Sequence, residues 1–114
     1  MSFSHLDHDT LKQWQESGTA HAVVDIRDPL SFSQGHIPGS CHLDNTSVGD
    51  FVERTPQEST VVVVCYHGHS SQQAALWLAG QGYKRVYSLD GGFTRWQYHH
   101  PGQVVGSDEK AGSQ

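Results

Sequence analysis

The segment TVVVVCYHGHSSQQAA, residues 60–75, places a cysteine between a buried strand and a helix. Val61 to Val64 are four consecutive β-branched residues, and such a run is typical of a strand that is buried on both faces of a parallel sheet. Cys65 comes next, at the carboxyl end of this strand. Because open α/β sheets bind ligands in the crevice beyond the carboxyl ends of their strands, the segment predicts a thiol at a ligand-binding edge.

The residues after Cys65 predict a short loop that leads into a helix. Gly68 permits a tight turn, and Ser70 or Ser71 is expected to cap the helix. Good helix formers predict the helix itself over residues 72–81. The first N–H groups of a helix have no partner within it, and the helix dipole is positive at that end, so both favour an anion. Since the thiolate is the reacting form of cysteine, the sequence predicts a nucleophile that is stabilised by loop amides.

Strand-like apolar segments alternate with helical segments along the chain. The short connections between them predict an α/β fold, a parallel sheet of about five strands with helices on both faces. Asp7 or Asp9 is expected to cap the first helix, and Asp28 the second. The strands are expected near residues 4–6, 22–26, 40–43, 60–64 and 86–89, and the helices end near residues 17, 34, 53, 81 and 98.

Three polar residues near the predicted strand ends are expected to have structural roles. Asp25 lies at the exit of a buried strand and needs a partner, which Arg27 or a loop amide can supply. His36 lies in a tight Gly-His-Ile-Pro-Gly connection and is expected to be a hydrogen-bonded turn residue. These residues therefore brace the predicted site rather than react in it.

The length of 114 residues is that of one domain, for which we predict the boundaries 1–105. Gly, Ser and charged residues then dominate, so residues 106–114 are expected to form a disordered tail. The formal net charge is −5, and general attraction to nucleic acid or to an anionic membrane is therefore not expected. No apolar run has membrane-spanning length and no hydrophobic signal region begins the sequence, which favours the cytoplasm.

The two cysteines, Cys41 and Cys65, are expected to be free thiols in a reducing compartment. Cys41 lies within a predicted strand with no loop amides around it, and we expect it to be a small buried hydrophobic residue. Cys65 is therefore the candidate nucleophile.

Nine histidines are many for this length and raise the hypothesis of a metal site. Cys65, His67 and His69 alternate through a tight turn that splays their side chains, and their spacing does not fit the ligand pairs of zinc sites. The other candidate histidines are scattered, at positions 5, 8, 99 and 100. We therefore predict no metal ligands.

Three ordered groups of residues resemble the rhodanese domain family. The first signature corresponds to Phe32, His36-Ile37-Pro38-Gly39 and Leu43. The second, near the C-terminus, corresponds to Val86, Asp90-Gly91-Gly92-Phe93 and Trp96. A strand that ends in cysteine lies between them, as the family requires. The similarity spans about residues 6–97 and is strongest to small single-domain thiosulfate sulfurtransferases, through Asp25-Ile26-Arg27-Asp28-Pro29, Cys65-Tyr66-His67-Gly68 and Ser70-Ser71.

The resemblance implies an enzyme that transfers sulfur by covalent catalysis. Cys65 attacks the outer sulfur of thiosulfate, sulfite leaves, and a cysteine persulfide remains. Cyanide in an assay, or a dithiol protein such as thioredoxin, then accepts the sulfur, and no metal or organic cofactor is implied. The backbone amides of the loop after Cys65 are expected to bind a persulfide or an oxyanion, as at other helix N-termini, so the candidate substrate-binding residues are Tyr66, His67, Gly68, His69, Ser70 and Ser71.

Some residues depart from the family pattern without removing a reacting group. Ser40 replaces a usual alanine, His69 a usual asparagine, and Arg95 stands where the family is often acidic. His67 and His69 either attract the anionic donor or point to solvent, and the sequence leaves both open. No cluster of Lys or Arg flanks the loop, so weak donor affinity is expected.

Three other functions compete with this one. A phosphatase of the same strand-Cys-loop-helix plan needs an arginine six residues after its cysteine, and Ser71 stands there. A non-enzymatic rhodanese-like binding module commonly lacks the cysteine that this chain has. A sulfur carrier that delivers to one protein partner uses the same Cys65, and this alternative stays open.

Overall fold

Residues 60–64 form the central strand of a five-stranded parallel sheet in the computed structural model, which describes residues 2–106. The strands are β1 (Ser4–Leu6), β2 (Ala22–Asp25), β3 (Cys41–His42), β4 (Thr60–Val64) and β5 (Arg85–Leu89). Their order across the sheet is β1-β5-β4-β2-β3, and each neighbouring pair is parallel. The predicted α/β fold is therefore confirmed.

The helices of residues 2–106 alternate with these strands. They are α1 (His8–Ser17), α2 (Pro29–Gln34), α3 (Val48–Arg54), α4 (Ser70–Gly80) and α5 (Gly92–His99), and a 3₁₀ turn follows at Pro101–Gln103. Asp7 caps α1 by accepting a hydrogen bond from the backbone N–H of Thr10, and Asp28 caps α2 by accepting one from Ser31. The predicted cap at Asp28 is confirmed, and Asp7 is the cap of α1 while Asp9 lies in its first turn.

The valines of β4 alternate between two apolar cores, one on each face of the sheet. Val61 and Val63 pack with residues of α3 and α4, whereas Val62 and Val64 pack with residues of α1 and α5. All four side chains are fully buried. Because both faces of this central strand are covered, the sequence shows a continuous apolar run instead of an apolar-polar alternation.

The start of α4 differs from the prediction. The helix begins at Ser70 rather than at residue 72, and neither Ser70 nor Ser71 caps it. His69 occupies the N-cap position and makes no side-chain capping hydrogen bond. The expectation of a serine cap was wrong because Ser71 lies inside the first turn, where its hydroxyl forms the buried contacts described below.

Cys41 is in β3, as predicted, but it is half-buried rather than buried. β3 is the last strand of the sheet on its side, so a neighbouring strand covers only one of its edges. The Cys41 side chain still packs against the apolar core on the α3 and α4 face. Both cysteines are free thiols.

The chain around residue 105 is joined to the domain by a short antiparallel bridge. His36 and Val105 exchange two backbone hydrogen bonds of 2.8 and 3.0 Å. His36 Nδ1 also lies 2.7 Å from the carbonyl oxygen of Phe32, which confirms the expected hydrogen-bonded turn residue. The predicted tail at residues 106–114 lies outside the described residues except for Gly106. Among the helices of residues 2–106, none combines the length and the hydropathy that a membrane span needs.

Asp25 and Arg27 form a buried ion pair at the carboxyl end of β2. Both carboxylate oxygens accept hydrogen bonds from the Arg27 guanidinium at 2.7–3.0 Å, and one also accepts the Arg27 backbone N–H. Arg27 Nη2 donates further to the carbonyl of Gly35 at 2.6 Å. Asp25 is 1% exposed and Arg27 is 6% exposed, so the predicted pairing is confirmed and is buried.

Replacing Asp25 with alanine is expected to lower the free energy of unfolding by about 3–5 kcal/mol, because it leaves a buried guanidinium without its counter-ion. Urea unfolding of Asp25→Ala measures this loss. Glu16→Ala is the matched control, since it breaks the exposed Lys12–Glu16 pair and should cost about 0.3–0.5 kcal/mol. Equal losses in the two variants would contradict the assigned role of the Asp25–Arg27 pair.

Candidate active site

The sulfur of Cys65 lies at the point where β4 ends, beneath a loop that returns to the start of α4. The backbone N–H groups of Gly68 and Ser71 donate hydrogen bonds to Sγ at 3.1 and 3.2 Å. Cys65 is 4% exposed, so the sulfur is enclosed but is held by main-chain donors rather than by apolar side chains alone. Two backbone N–H groups thus converge on this atom, an arrangement that can donate hydrogen bonds to an anionic sulfur.

A chain of two serine hydroxyls connects the sulfur to β5. The thiol of Cys65 donates to Ser71 Oγ at 3.2 Å, and Ser71 Oγ lies 2.8 Å from Ser88 Oγ. Both serines are fully buried. When the thiol loses its proton, rotation of both hydroxyls allows Ser88 to donate to Ser71 and Ser71 to donate to the sulfur. The chain therefore supplies a hydrogen-bond partner to the sulfur in either state.

Sequence reasoning missed Ser88. It lies in β5 between Val86 and Leu89, both of which are buried, and the sheet places it beneath the cysteine loop. A single serine in an apolar strand is a weak sign that a buried hydroxyl has a partner. That partner, Ser71, is 17 residues away in sequence, and only the parallel pairing of β4 with β5 brings them together.

The side chains of the predicted substrate-binding loop do not share one environment. Tyr66, His67, His69 and Ser70 are exposed, whereas Gly68 and Ser71 are buried. Within residues 2–106, the backbone N–H groups of His67, His69 and Ser70 have no hydrogen-bond partner. The loop therefore presents three unpaired backbone N–H groups and two imidazoles to a ligand that approaches the sulfur.

Tyr66 turns its side chain toward the N-terminus of α2. Its hydroxyl donates to the carboxylate of Asp28 and lies 2.8 Å from Ser31 Oγ. The Tyr66 hydroxyl, followed by the backbone N–H and the hydroxyl of Ser31, lowers the pKa of Asp28 to about 2. Arg27 lies on the inner side of this contact, with its guanidinium carbon 5.7 Å from the Tyr66 ring centroid and 4.0 Å from that of Phe93. The Tyr66 side chain thus ties the loop to the buried ion pair.

The start of α5 holds the other side of the loop. The N–H groups of Phe93 and Thr94 donate to the carbonyl oxygens of Cys65 and Tyr66 at 2.8 and 3.0 Å. Gly92 has a φ of +59°, and a Cβ there would overlap the Cys65 carbonyl oxygen and lie 2.5 Å from that of Tyr66. Only glycine meets both conditions at this position. The glycine turn of the second signature is therefore part of the site.

Arg95 lies beside the loop, although 28 residues separate it from His67. Both side chains line a concavity of about 610 Å³ together with Gly91, Thr94 and His99. Within the described part of the chain, no carboxylate lies within ion-pair distance of Arg95. The sequence places no Lys or Arg cluster next to the loop, but the fold supplies this cation from α5.

A second group of titratable residues lies where α1 begins and α5 ends. His8, Asp9 and His100 bring one ligand atom each to within 4.8 Å of the others. The expectation that these histidines are scattered was wrong, because the sheet brings the first helix beside the last. Neither Cys65 nor the loop histidines belong to this group.

Comparison with known proteins identifies the family of this fold. The rhodanese-like domain matches residues 7–99. The chain belongs to the rhodanese family. This rhodanese is 49% identical over 100 residues to the thiosulfate sulfurtransferase GlpE of Pseudomonas aeruginosa, a match that covers 88% of the chain and 89% of the relative. It is 54% identical over 83 residues to the protein of the same name from Pseudomonas entomophila, covering 73% of the chain and 76% of the relative.

A solved structure shows the same architecture. The solution structure of the rhodanese-like domain of the Alr3790 protein from Anabaena sp. is 25% identical to this rhodanese, with a TM-score of 0.79. The match covers 90% of the chain and 78% of that structure. The α/β fold is therefore common to the two rhodanese-like proteins.

In this rhodanese, Gly92→Ala is expected to lower the free energy of unfolding by about 1–3 kcal/mol, through the left-handed φ and the overlap with two carbonyl oxygens. Because the same carbonyls position the loop, the amide resonances of Gly68 and Ser71 should also shift in a ¹⁵N spectrum. The control is Gly49→Ala, where no atom lies within 4 Å of the added Cβ and where α3 should gain about 0.5–1 kcal/mol. An unchanged loop spectrum in Gly92→Ala would show that α5 does not position the loop.

Proposed function

We propose that this rhodanese is a thiosulfate sulfurtransferase and that Cys65 is its nucleophile. The observation that carries the proposal is the pair of backbone N–H groups, from Gly68 and Ser71, that converge on Cys65 Sγ at the carboxyl end of the central strand. The thiosulfate sulfurtransferases named above align with this chain over most of their length, which supports the same chemistry. The substrate-binding residues in this proposal are those of the loop from Tyr66 to Ser71.

The reaction proceeds in two displacements at sulfur. The Cys65 thiolate attacks the outer sulfur of thiosulfate, a bond forms between the two sulfur atoms, and sulfite leaves with the electron pair of the broken S–S bond. The terminal sulfur of the resulting persulfide carries the negative charge, which the unpaired N–H groups of His67, His69 and Ser70 are available to stabilise. A nucleophilic acceptor then bonds to that sulfur and returns Cys65 to the thiolate.

The acceptor in this proposal is cyanide in an assay, and a dithiol protein such as thioredoxin in the cell. Delivery to one dedicated protein partner uses the same persulfide and differs only in the acceptor. The location in this proposal is the cytoplasm, a reducing compartment in which both thiols would stay free.

Phosphatase chemistry is disfavoured by the contacts around the sulfur. Ser71 stands at the position where a phosphatase needs its arginine. Its hydroxyl accepts a hydrogen bond from the Cys65 thiol and does not extend toward the substrate side of the loop. The guanidinium of Arg27 is already bonded to Asp25 and Gly35. Neither position therefore offers a tetrahedral dianion the bidentate guanidinium that this reaction requires.

Incubation with thiosulfate is expected to add about 32 Da to the protein as a persulfide, and dithiothreitol should remove it. Mass spectrometry of intact protein and of peptides measures the addition and its position. Cys65→Ala should show neither the addition nor cyanide-dependent thiocyanate release, because the attacking atom is gone. Cys41→Ala is the matched control and should retain both. Loss of activity in Cys41→Ala with retention in Cys65→Ala would overturn the assignment of the nucleophile.

Arg95→Glu is expected to raise KM for thiosulfate about three- to tenfold with little change in kcat, since an exposed charge near the loop attracts the dianion before chemistry begins. The effect should decrease as salt is added. Steady-state kinetics at two ionic strengths measures both. Lys84→Glu makes the same charge change at the opposite end of β5 and should leave KM near that of the unaltered protein. An equal rise in the two variants would mean that only net charge matters.

A further inference from the structure

Three side-chain atoms from the two ends of the fold converge at one point away from the cysteine loop. His8 Nδ1 lies 2.9 Å from His100 Nε2 and 3.3 Å from Asp9 Oδ1. His100 Nε2 lies 3.4 Å from the same carboxylate oxygen. His8 and Asp9 begin α1, while His100 follows α5, so the group joins segments 92 residues apart.

The separations of these three atoms match those of metal ligands. Zinc is bound by histidine nitrogen and carboxylate oxygen at about 2.0–2.2 Å, and a tetrahedral arrangement then places ligand atoms roughly 3.3–3.5 Å apart. Two of the three distances here lie at 3.3 and 3.4 Å, and the third, between the nitrogens, is 2.9 Å. An ion above the plane of the three atoms would have ordinary bond lengths after a shift of a few tenths of an ångström.

The two imidazoles are held in place before any ion binds. The His8 ring stacks on His99 with centroids 4.2 Å apart and planes 10° apart, and the His100 ring lies 4.9 Å from Trp96, which is fully buried. The side chains of His8 and His100 are only 14% and 10% exposed, whereas Asp9 is 74% exposed. The site therefore has two fixed nitrogens and an oxygen on its open, solvent-facing side.

We propose that His8, Asp9 and His100 bind a divalent cation of the zinc class, with a fourth position open to water. Two neutral imidazole nitrogens and one carboxylate are ligands that zinc, cobalt and nickel accept, whereas magnesium and calcium prefer oxygen alone. The cation joins the start of α1 to the end of α5 and so stabilises the fold. Cys65 contributes no ligand to it.

The alternative occupant of the same space is a proton. Two facing imidazole nitrogens at 2.9 Å form a hydrogen bond if one of them carries a proton. The protonated nitrogen then has no lone pair with which to bind a metal ion. Titration with Zn²⁺, and with Co²⁺ as a spectroscopic probe, separates the two. The full chain is used without an affinity tag, because a polyhistidine tag binds these ions itself.

One equivalent of Zn²⁺ is expected to bind at micromolar concentration in calorimetry, to raise Tm, and to be replaceable by Co²⁺ with the intense visible bands of a tetrahedral centre. His8→Phe and His100→Phe keep an aromatic ring in the packing and remove the nitrogen, so each should weaken binding by at least about tenfold. Their Tm in chelator should stay close to that of the unaltered protein, which separates loss of binding from loss of folding.

His21→Phe is the matched control, because it removes a half-buried imidazole that lies outside the group. It should bind Zn²⁺ as the unaltered protein does, and so should Cys65→Ala. The proposal is overturned if no binding occurs below millimolar Zn²⁺, if His8→Phe and His100→Phe bind as well as His21→Phe, or if Cys65→Ala abolishes binding. None of these outcomes depends on sulfurtransferase activity.

Discussion

The hydrogen bonds from the Gly68 and Ser71 amides to Cys65 Sγ depend on how the first turn of α5 holds the cysteine loop. In the first turn of α5, Phe93 and Thr94 donate to the carbonyl oxygens of Cys65 and Tyr66. These two carbonyl groups face α5, whereas the N–H groups of Gly68 and Ser71 face the sulfur. The anion site is made of main-chain amides. It is held in place by α5, whereas α4 supplies the helix dipole.

A protein with a net charge of −5 can still attract a small anion if the attraction is local. Main-chain donors, hydroxyls and a helix N-terminus carry no net charge, so they favour an anion at short range without changing the total. The guanidinium of Arg95 adds positive potential beside the loop mouth, where it lines one concavity with His67. Arg27, although nearer to the interior, is neutralised by Asp25 and serves as a brace.

The two ends of the chain meet on the face of the sheet that α1 and α5 cover. β1 pairs with β5, and Leu6, Leu11 and Trp96 share one apolar core there. Because this packing brings the start of α1 next to the end of α5, polar side chains at those two positions become neighbours. The same topology therefore produces both the cysteine loop at the carboxyl edge of the sheet and the histidine group between the start of α1 and the end of α5.

The family relationship accounts for the fold, and the site geometry shows how the Cys65 sulfur is held. The relatives named thiosulfate sulfurtransferase share about half of their aligned residues with this chain, which accounts for a common fold. Two of the departures, Arg95 and His69, lie at exposed positions around the loop. Substitutions at such positions leave in place the backbone N–H groups that donate to Cys65 Sγ.

The sequence alone determined the strand order along the chain, the doubly buried central strand and the position of Cys65 after it, because these follow from local patterns of apolar residues and turn formers. It did not determine the partners of those residues. Ser88 contacts Ser71, Arg95 lines one concavity with His67, and His8 meets His100 only after the strands pair, since each of these pairs is at least 17 positions apart in sequence. The serine cap of α4 failed for the same reason: a buried hydroxyl at Ser71 finds a better partner in the sulfur than in its own helix, and only the packed structure brings the two together.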